Sequence, residues 1–452
     1  MIERYLARVQ HGELGELPGI STRHGATARI RRRIAITAAA GSAVAALLFF
    51  ILKDRRAVTS NSSPSASLQD RREPMTNSSP VSSLQDPFVV KTEAGTNIGT
   101  FARIEDALAA VPSGAVIELC WNGSRAIDPV TLPSKPLTLR AGRGFQPIWS
   151  SLNSASALSA SAALTLEGIR FEMTSRGRAG SFPNVAPHRP RTPPSGVALL
   201  SITNGPLRIA HCTVEVKRGA MHQAGIVLAN VGACHVENTV LYTPAGKAIV
   251  WQQYSGEKGS AAELTVTNCV THAAETLWLD FRESPRARLE IARCTFHGVA
   301  TLCVAPSLTT TNLEVNARQN VFHNASVILD ARNSASPSLS QWLHWREQEN
   351  LHRPRQGPDQ RYITGGAVRD GPATLEDWNR WWNQTGANSR VVQLAFANGA
   401  SDLKRSSGSF PPDPDGFRIT DLILVEGPPL ERDQWSRFGA DTTNVGPRSV
   451  KP

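Results

Sequence analysis

The residues best placed to do chemistry lie in the segment Leu277-Trp-Leu-Asp-Phe-Arg282. As a strand, it would turn Leu277 and Leu279 inward and Trp278, Asp280 and Arg282 outward, because side chains alternate between faces. An outward indole beside a carboxylate and a guanidinium suits a sugar ring, held by stacking and bidentate hydrogen bonds. Trp278, Asp280 and Arg282 are therefore the predicted substrate-binding residues. Comparable segments at Ile249–Gln253 and Val327–Ala331 put Gln252 and Asp330 at the position matching Asp280. Glycosidic cleavage needs carboxyl groups converging on one bond. Asp280 and Asp330 would stand two repeats apart, about 10 Å at strand spacing, with no acid between them. No catalytic residue is assigned. The competing reading is a solvated outer face with Trp278 covered by a loop.

Other reactive side chains point to structure. Cys212, Cys269 and Cys294 recur at one inward position of a repeated phrase. Stacked there, they act as small apolar side chains, and a buried thiol is no nucleophile. In-register neighbours on parallel strands do not favour the disulfide dihedral, so free thiols are expected. No CxxC-type spacing with matching histidines occurs, so no metal and no cofactor is assigned. His211, His235, His272 and His297 fall near bends and loops and read as surface residues.

The elements that would position these residues are repeats. An eight-residue phrase begins at Leu164, Leu207, Cys234, Leu264 and Leu289, and returns less cleanly from Leu313 to Phe322. The steps are 43, 27, 30, 25 and 24 residues, which marks a solenoid whose units bury their apolar sides by stacking. Positions one, three, six and eight are mostly apolar. Position five holds Gly168, His211, Asn238, Asn268 and Arg293, and the Asn and Gly there suggest a left-handed bend between two short strands. The spacing of three and four that marks a helix is missing. A third strand follows each phrase, at Ile226–Asn230, Ile249–Gln253, Leu277–Phe281, Leu302–Pro306 and Val327–Ala331.

Strand, bend, strand, loop and strand resemble one turn of the right-handed parallel β-helix of the pectin-lyase-like superfamily, over roughly residues 88 to 335. Phe101–Gly114 looks like the amphipathic helix that caps the first coil, and Val130–Leu139 like the first full rung. The resemblance implies fold more than function, since such folds carry lyases, hydrolases, esterases and non-enzymatic adhesins. Lyases of this class use calcium-binding carboxylates with a basic residue, and its pectinesterases and polygalacturonases use paired Asp residues. That cluster is thin here.

Composition bounds the rest. Of the net charge of +10, residues 1–56 carry +6, and no basic stripe with interleaved aromatics runs through the repeats, so nucleic acid is not a predicted partner. Ile34–Leu52 is 19 residues without a charge. As a helix it spans about 28 Å, close to the bilayer core. Arg29, Arg31, Arg32 and Arg33 before it favour a cytoplasmic N-terminus. A single-pass inner-membrane anchor is the primary reading and a cleaved signal peptide the alternative; both place the repeats outside the cytoplasm. In the following linker, Asn61–Asp70 recurs as Asn77–Asp86, offset by 16 residues, a polar duplication that reads as a tether. The stretch 175–194 accounts for the 43-residue step and reads as a projecting loop, either a groove wall or a plain insertion.

The C-terminal third changes character. Trp342, Trp345, Trp378, Trp381 and Trp382 crowd there, and Thr374 should cap a short helix whose tryptophans form one face. That face either covers the open last coil or stacks on sugar. The ending from Phe417-Arg-Ile through Phe438-Gly-Ala-Asp-Thr-Thr-Asn-Val-Gly446-Pro resembles the terminal phrase of planctomycete β-helix proteins, often the extracytoplasmic part of membrane serine/threonine kinases. No kinase core motif is present, and 33 residues precede the span.

The predicted fold is all-β: a right-handed parallel β-helix with an N-terminal transmembrane helix and a C-terminal Trp-rich cap. Its parts are a cytoplasmic segment 1–33, a transmembrane helix 34–52, a disordered linker 53–87, the β-helix 88–335 and the cap region 336–452. The expected function is a non-catalytic binding or scaffold module, with the membrane and a polysaccharide or envelope protein as partners. A polysaccharide lyase or hydrolase is one alternative, and a sensor remnant of a membrane kinase the other.

Overall fold

The computed structural model describes residues 86–151, 156–174, 198–217, 223–253, 261–281, 286–304, 312–325, 327–330, 339–354, 362–364, 371–397 and 414–447. The predicted segments 1–33 and 34–52, nearly all of the linker, the 175–194 stretch and Arg282 lie outside these residues. Among the described residues, no helix is long and apolar enough to cross a membrane.

The chain winds as a parallel β-solenoid. Each coil contributes one strand to a first sheet, and a second and third strand that belong to a larger sheet. Leu137–Ala141, Leu164–Glu167, Leu207–Ala210, Ala233–Glu237, Ala262–Thr267, Arg286–Ala292, Asn312–Arg318 and Leu343–Gln348 stack in parallel register in the first sheet. Their inward side chains form single-file columns. One runs Ile117, Leu139, Leu166, Ile209, Val236, Val266, Ile291, Ala317. The matching column of the second strands runs Trp149, Phe171, Val214, Leu241, Thr271, Phe296, Phe322. These columns face each other across one continuous core, in which each side chain loses its water only because a coil lies above and below it.

The corner between the first and second strands is the predicted left-handed bend. Position five has positive φ in every phrase: Gly168 (71°), His211 (54°), Asn238 (50°), Asn268 (52°) and Arg293 (53°). Gln319 (54°) and Glu349 (51°) continue the series. Val315 lies opposite Leu289, so the sixth phrase starts there and not at Leu313, and Trp345 opposite Val315 starts a seventh. At the corner that ends the second strand, Gly298 is obligatory, because a Cβ would sit 2.0 Å from the Ala273 carbonyl oxygen.

Cys212, Cys269 and Cys294 are fully buried at position six, and all six cysteines are free thiols. The position is more than an apolar ladder. Thr239, Asn320 and Asn350 occupy it in other coils, and their side chains cap the backbone N–H of position six in the coil before: Thr239 Oγ1 accepts from Cys212 at 3.4 Å, Asn320 Oδ1 from Cys294 at 2.9 Å and Asn350 Oδ1 from Asn320 at 2.8 Å.

The ends differ from the body. Phe88–Lys91 pairs antiparallel with Asn97–Phe101 and Val116–Leu119, so the parallel stack begins at Val116–Leu119 and not at Phe88. Val130–Thr131 is the third strand of that first coil and Leu137–Ala141 opens the next, so the expected first rung straddles two coils. Helix α1 (Ile104–Ala110) packs Ile104, Ala107 and the following Val111 against the core, and is shorter than the expected cap. At the other end, parallel pairing continues past residue 335 through Leu343–Gln348, Leu351–Pro354 and Ile363–Thr364. Arg390–Phe396 then adds in parallel, and Ile419–Glu426 pairs with it antiparallel.

Helix α2 (Leu375–Trp381) closes this end. The Thr374 hydroxyl accepts from Asp377 N–H at 3.1 Å, as the sequence predicts. Trp378 is fully buried, with ring centroids 5.3 Å from Trp345 and 5.4 Å from Tyr362, and Trp382 packs beside it at 5.7 Å. Trp381 is 39% exposed and does not share that face. Thr374→Ala is expected to cost the helix about 1 kcal/mol. Hydrogen exchange of the Leu375–Trp381 amides should therefore quicken about fivefold; unchanged exchange would remove the cap from the account.

Beyond these strands, Gly439–Gly446 runs back along the position-five corner. Gly439 N–H donates to the Gln319 carbonyl at 2.8 Å, Ala440 N–H to Thr295 Oγ1 at 3.1 Å and Gly446 N–H to the Asn238 carbonyl at 2.8 Å. Gly439 (φ 70°) passes so close that a Cβ would meet Thr295 Oγ1 at 2.5 Å. The terminal phrase is thus a strap across several coils.

Candidate functional site

The sequence-predicted site is only partly assembled. Leu277 and Leu279 point inward and Trp278 and Asp280 outward, as alternation requires. Gln252 lies beside Asp280 in register. Asp330 does not belong to that column. It pairs with Cys303, which pairs with Trp278, so Asp330 stands in the Trp278 column, two coils on. The cause is a slip of two residues, which keeps every side chain on its face and so leaves no trace in the apolar pattern. Asp280 is 7% exposed although it faces outward. Trp278 is half-buried, and one ring face carries the Lys247 ammonium 4.6 Å from its centroid, with Glu275 3.4 Å from that ammonium. The indole is therefore open to a sugar on one face at most.

A denser constellation lies on the outer face of the second strands, one residue past the eight-residue phrase. Glu172, Glu215, Tyr242, His272, His297, His323 and Arg353 occupy the same position in successive coils. The parallel register forces them into one line, about 4.8 Å per step. At one end, Arg170 reaches Glu172 at 2.7 Å and Glu215 at 2.9 Å, and Lys217 reaches Glu172 at 3.0 Å and Glu215 at 3.7 Å. Glu215 is nearly fully buried, and burial raises its carboxyl against the pull of Arg170 and Lys217.

Tyr242 and His272, both half-buried, stack with centroids 5.2 Å apart, and His272, His297 and His323 continue at 4.6 and 5.0 Å. Burial, and secondarily the charge of Glu215, raise the Tyr242 phenol. Burial lowers His272 to about 4, so its imidazole is neutral at pH 7. His272 Nδ1 lies 2.6 Å from His297 Nδ1, so one of the two must donate and the other accept. His272 is thereby fixed in orientation, whichever ring carries that proton. His323 is lowered to about 2 by burial, by His297 and by Arg353, whose guanidinium touches its Nε2. An arginine can only donate, so that nitrogen must accept.

The far half of the ladder is roofed by the end of the strand Arg390–Phe396 and by the short turn Pro414–Phe417. Phe396 lies 4.7 Å from the His323 ring and Phe417 6.5 Å from that of His297, and both histidines are nearly fully buried. His272 and His297 are thus ladder residues and not loop residues, whereas His235 is exposed on the first sheet as expected. What stays partly open is the pair Tyr242 and His272, a phenol and a neutral imidazole on successive coils, beside the buried and ion-paired Glu215. No described residue hydrogen-bonds the Tyr242 hydroxyl. The rings stack face to face instead of converging, and among the described residues no group of His, Cys, Asp and Glu could hold a metal ion.

Reading the ninth residue of each phrase would have exposed this ladder in the sequence; a frame of eight stops one short. Comparison with protein-family models, curated proteins and solved structures finds no match.

Proposed function

We propose that this chain is a membrane-anchored, extracytoplasmic binding module of the right-handed, pectin-lyase-like β-helix class, which holds an envelope polysaccharide without cleaving it. The observation that carries this reading is the partly open Tyr242–His272 pair, which offers a hydroxylated polymer a phenol and an imidazole on successive coils. The ladder's two carboxylates, Glu172 and Glu215, are both clamped by Arg170 and Lys217. A carboxylate held in two ion pairs is a poor nucleophile or general base, so binding fits better than hydrolysis. The span at 34–52 supplies the anchor in this proposal.

A second reading is favoured by one feature. His272 is neutral, oriented by His297 and stacked beside a phenol, an arrangement suited to taking a proton and returning it, as in a polysaccharide lyase. The test is to incubate the full-length protein with uronate-containing and neutral glycans, scoring binding and new unsaturated or reducing ends. Binding without products, weakened about tenfold or more by Tyr242→Ala and unchanged by Trp278→Ala, is the expected result. Products that vanish with His272→Ala would replace the binding reading with the lyase one. Binding lost with Trp278→Ala and kept with Tyr242→Ala would return the site to the Trp278–Asp280 face.

A further inference from the structure

The second sheet ends on a strand that nothing covers among the described residues. Ile419–Glu426 pairs with Arg390–Phe396 on one side only. Five large apolar residues are exposed in the described chain, and three are consecutive here: Ile423 (57%), Leu424 (37%) and Val425 (58%). Arg390 pins the chain just beyond, donating to the Pro428 carbonyl at 2.8 Å and the Pro429 carbonyl at 3.2 Å, so the edge is held in place. A fixed, apolar, unpaired edge is a template for another strand.

The sequence of the edge is complementary to itself. Two copies laid antiparallel with Leu422 on the two-fold axis place Arg418 opposite Glu426, Ile419 opposite Val425, Thr420 opposite Leu424 and Asp421 opposite Ile423. The two-fold makes the Arg418–Glu426 pair twice, once at each end of the ribbon. Both residues are exposed, and neither forms an ion pair within the described chain. A shift of one residue either way loses this pairing. We propose that a second copy of this chain docks at Ile419–Glu426, joining two solenoids through their C-terminal ends into an antiparallel dimer. This inference stands apart from the glycan reading, because the edge strand contributes nothing to the Tyr242–His272 pair.

The contact is one strand wide, so the dimer should be weak and form at micromolar concentration or when both copies are confined together. Sedimentation equilibrium of the full-length protein in detergent should show a monomer–dimer equilibrium. Leu424→Lys should weaken it about tenfold or more, and Arg418→Glu likewise. The double exchange Arg418→Glu with Glu426→Arg should restore association to within a few-fold of the wild type. Circular dichroism of each variant should match the wild type, since the altered side chains are exposed. A wild-type protein that stays monomeric would overturn the proposal, including the case where another part of the chain or the micelle covers the edge. A dimer indifferent to Leu424→Lys, or a double exchange no better than its single parents, would overturn it equally.

Discussion

Glu347→Gln should destabilise the fold by about 3–5 kcal/mol, the cost of breaking a buried ion pair from one side. Glu347 stands in register after Ala317, at the end of an inward column that is otherwise aliphatic from Ile117 onward. His352 follows Phe322 at the end of the second-strand column. The two columns thus finish in a carboxylate and an imidazole, which hydrogen-bond through Glu347 Oε1 and His352 Nε2. The other carboxylate oxygen accepts from the Trp378 indole at 2.7 Å and the Trp345 indole at 3.1 Å. Burial by itself would raise the Glu347 carboxyl, but the charge and hydrogen bond of His352, with Ser389 and Trp378, outweigh it and hold the group at about 2.

A carboxyl depressed from 4.5 to about 2 adds stability that is complete above the unfolded value and disappears as pH falls through the folded one. The wild type should therefore lose about 3 kcal/mol between pH 4.5 and 2 through this group, and the Gln variant should lack that component of the acid transition. Glu347→Leu combined with His352→Phe should recover part of the loss at neutral pH, because no buried charge is left alone although the Trp345 and Trp378 indoles lose their acceptor. Denaturant midpoints at pH 7 and across the acid range measure all three. A Gln variant as stable as the wild type at pH 7 would show that the pair does not hold the last coil.

The solenoid was legible because its signal repeats. Inward Leu, Ile, Val and Cys at positions one, three, six and eight set strand phase, and Asn238 and Asn268 marked the left-handed corner that His211, Arg293, Gln319 and Glu349 then share. Register along the third strand was not legible: sliding Asp330 by two residues changes no face, so only the stacking of Leu302 on Leu329 fixes it. The same limit hid the last coil, whose inward positions carry Trp345, Glu347 and His352 in place of aliphatic residues, and so read as the start of a cap. The Trp278–Asp280 pair was found because alternation alone predicts it. The Glu172-to-Arg353 ladder was missed because its members differ in type from coil to coil, and only the parallel register makes them neighbours.

Asn320→Ala is the other substitution with a large expected cost, about 3 kcal/mol or more, and it tests how the corner is held. Asn320 is fully buried, and its Oδ1 accepts from Cys294 N–H at 2.9 Å. Its Nδ2 donates to the Ile291 carbonyl at 3.1 Å and to Asn350 Oδ1 at 3.0 Å. Truncation strands the Cys294 N–H and takes a donor from the Ile291 carbonyl, each worth about 1–3 kcal/mol before relaxation, while Asn350 Oδ1 keeps the Asn320 backbone N–H. Asn350 repeats the arrangement one coil on: its Nδ2 donates to the Ala317 carbonyl at 2.9 Å, and its own N–H finds Ser389 Oγ at 3.0 Å. The amides therefore run as a chain through the last corners, where the left-handed turn leaves a backbone N–H that no strand can satisfy. Coils with cysteine solve the corner differently, the Cys294 thiol donating to the Ala292 and Val266 carbonyls at 3.3 and 3.5 Å. Asn320→Thr should recover part of the loss, since the Thr239 hydroxyl already caps Cys212 N–H in an earlier coil. The readouts are the denaturant midpoint and the exchange rate of the Cys294 amide, which should rise in the Ala variant and fall back in the Thr variant. If Ala and Thr destabilise equally, the corner depends on packing volume and the amide chain is incidental. If Thr is the milder change and Cys294 stays protected only where an oxygen is present, the capping bond is what lets a residue other than glycine or asparagine sit at position five.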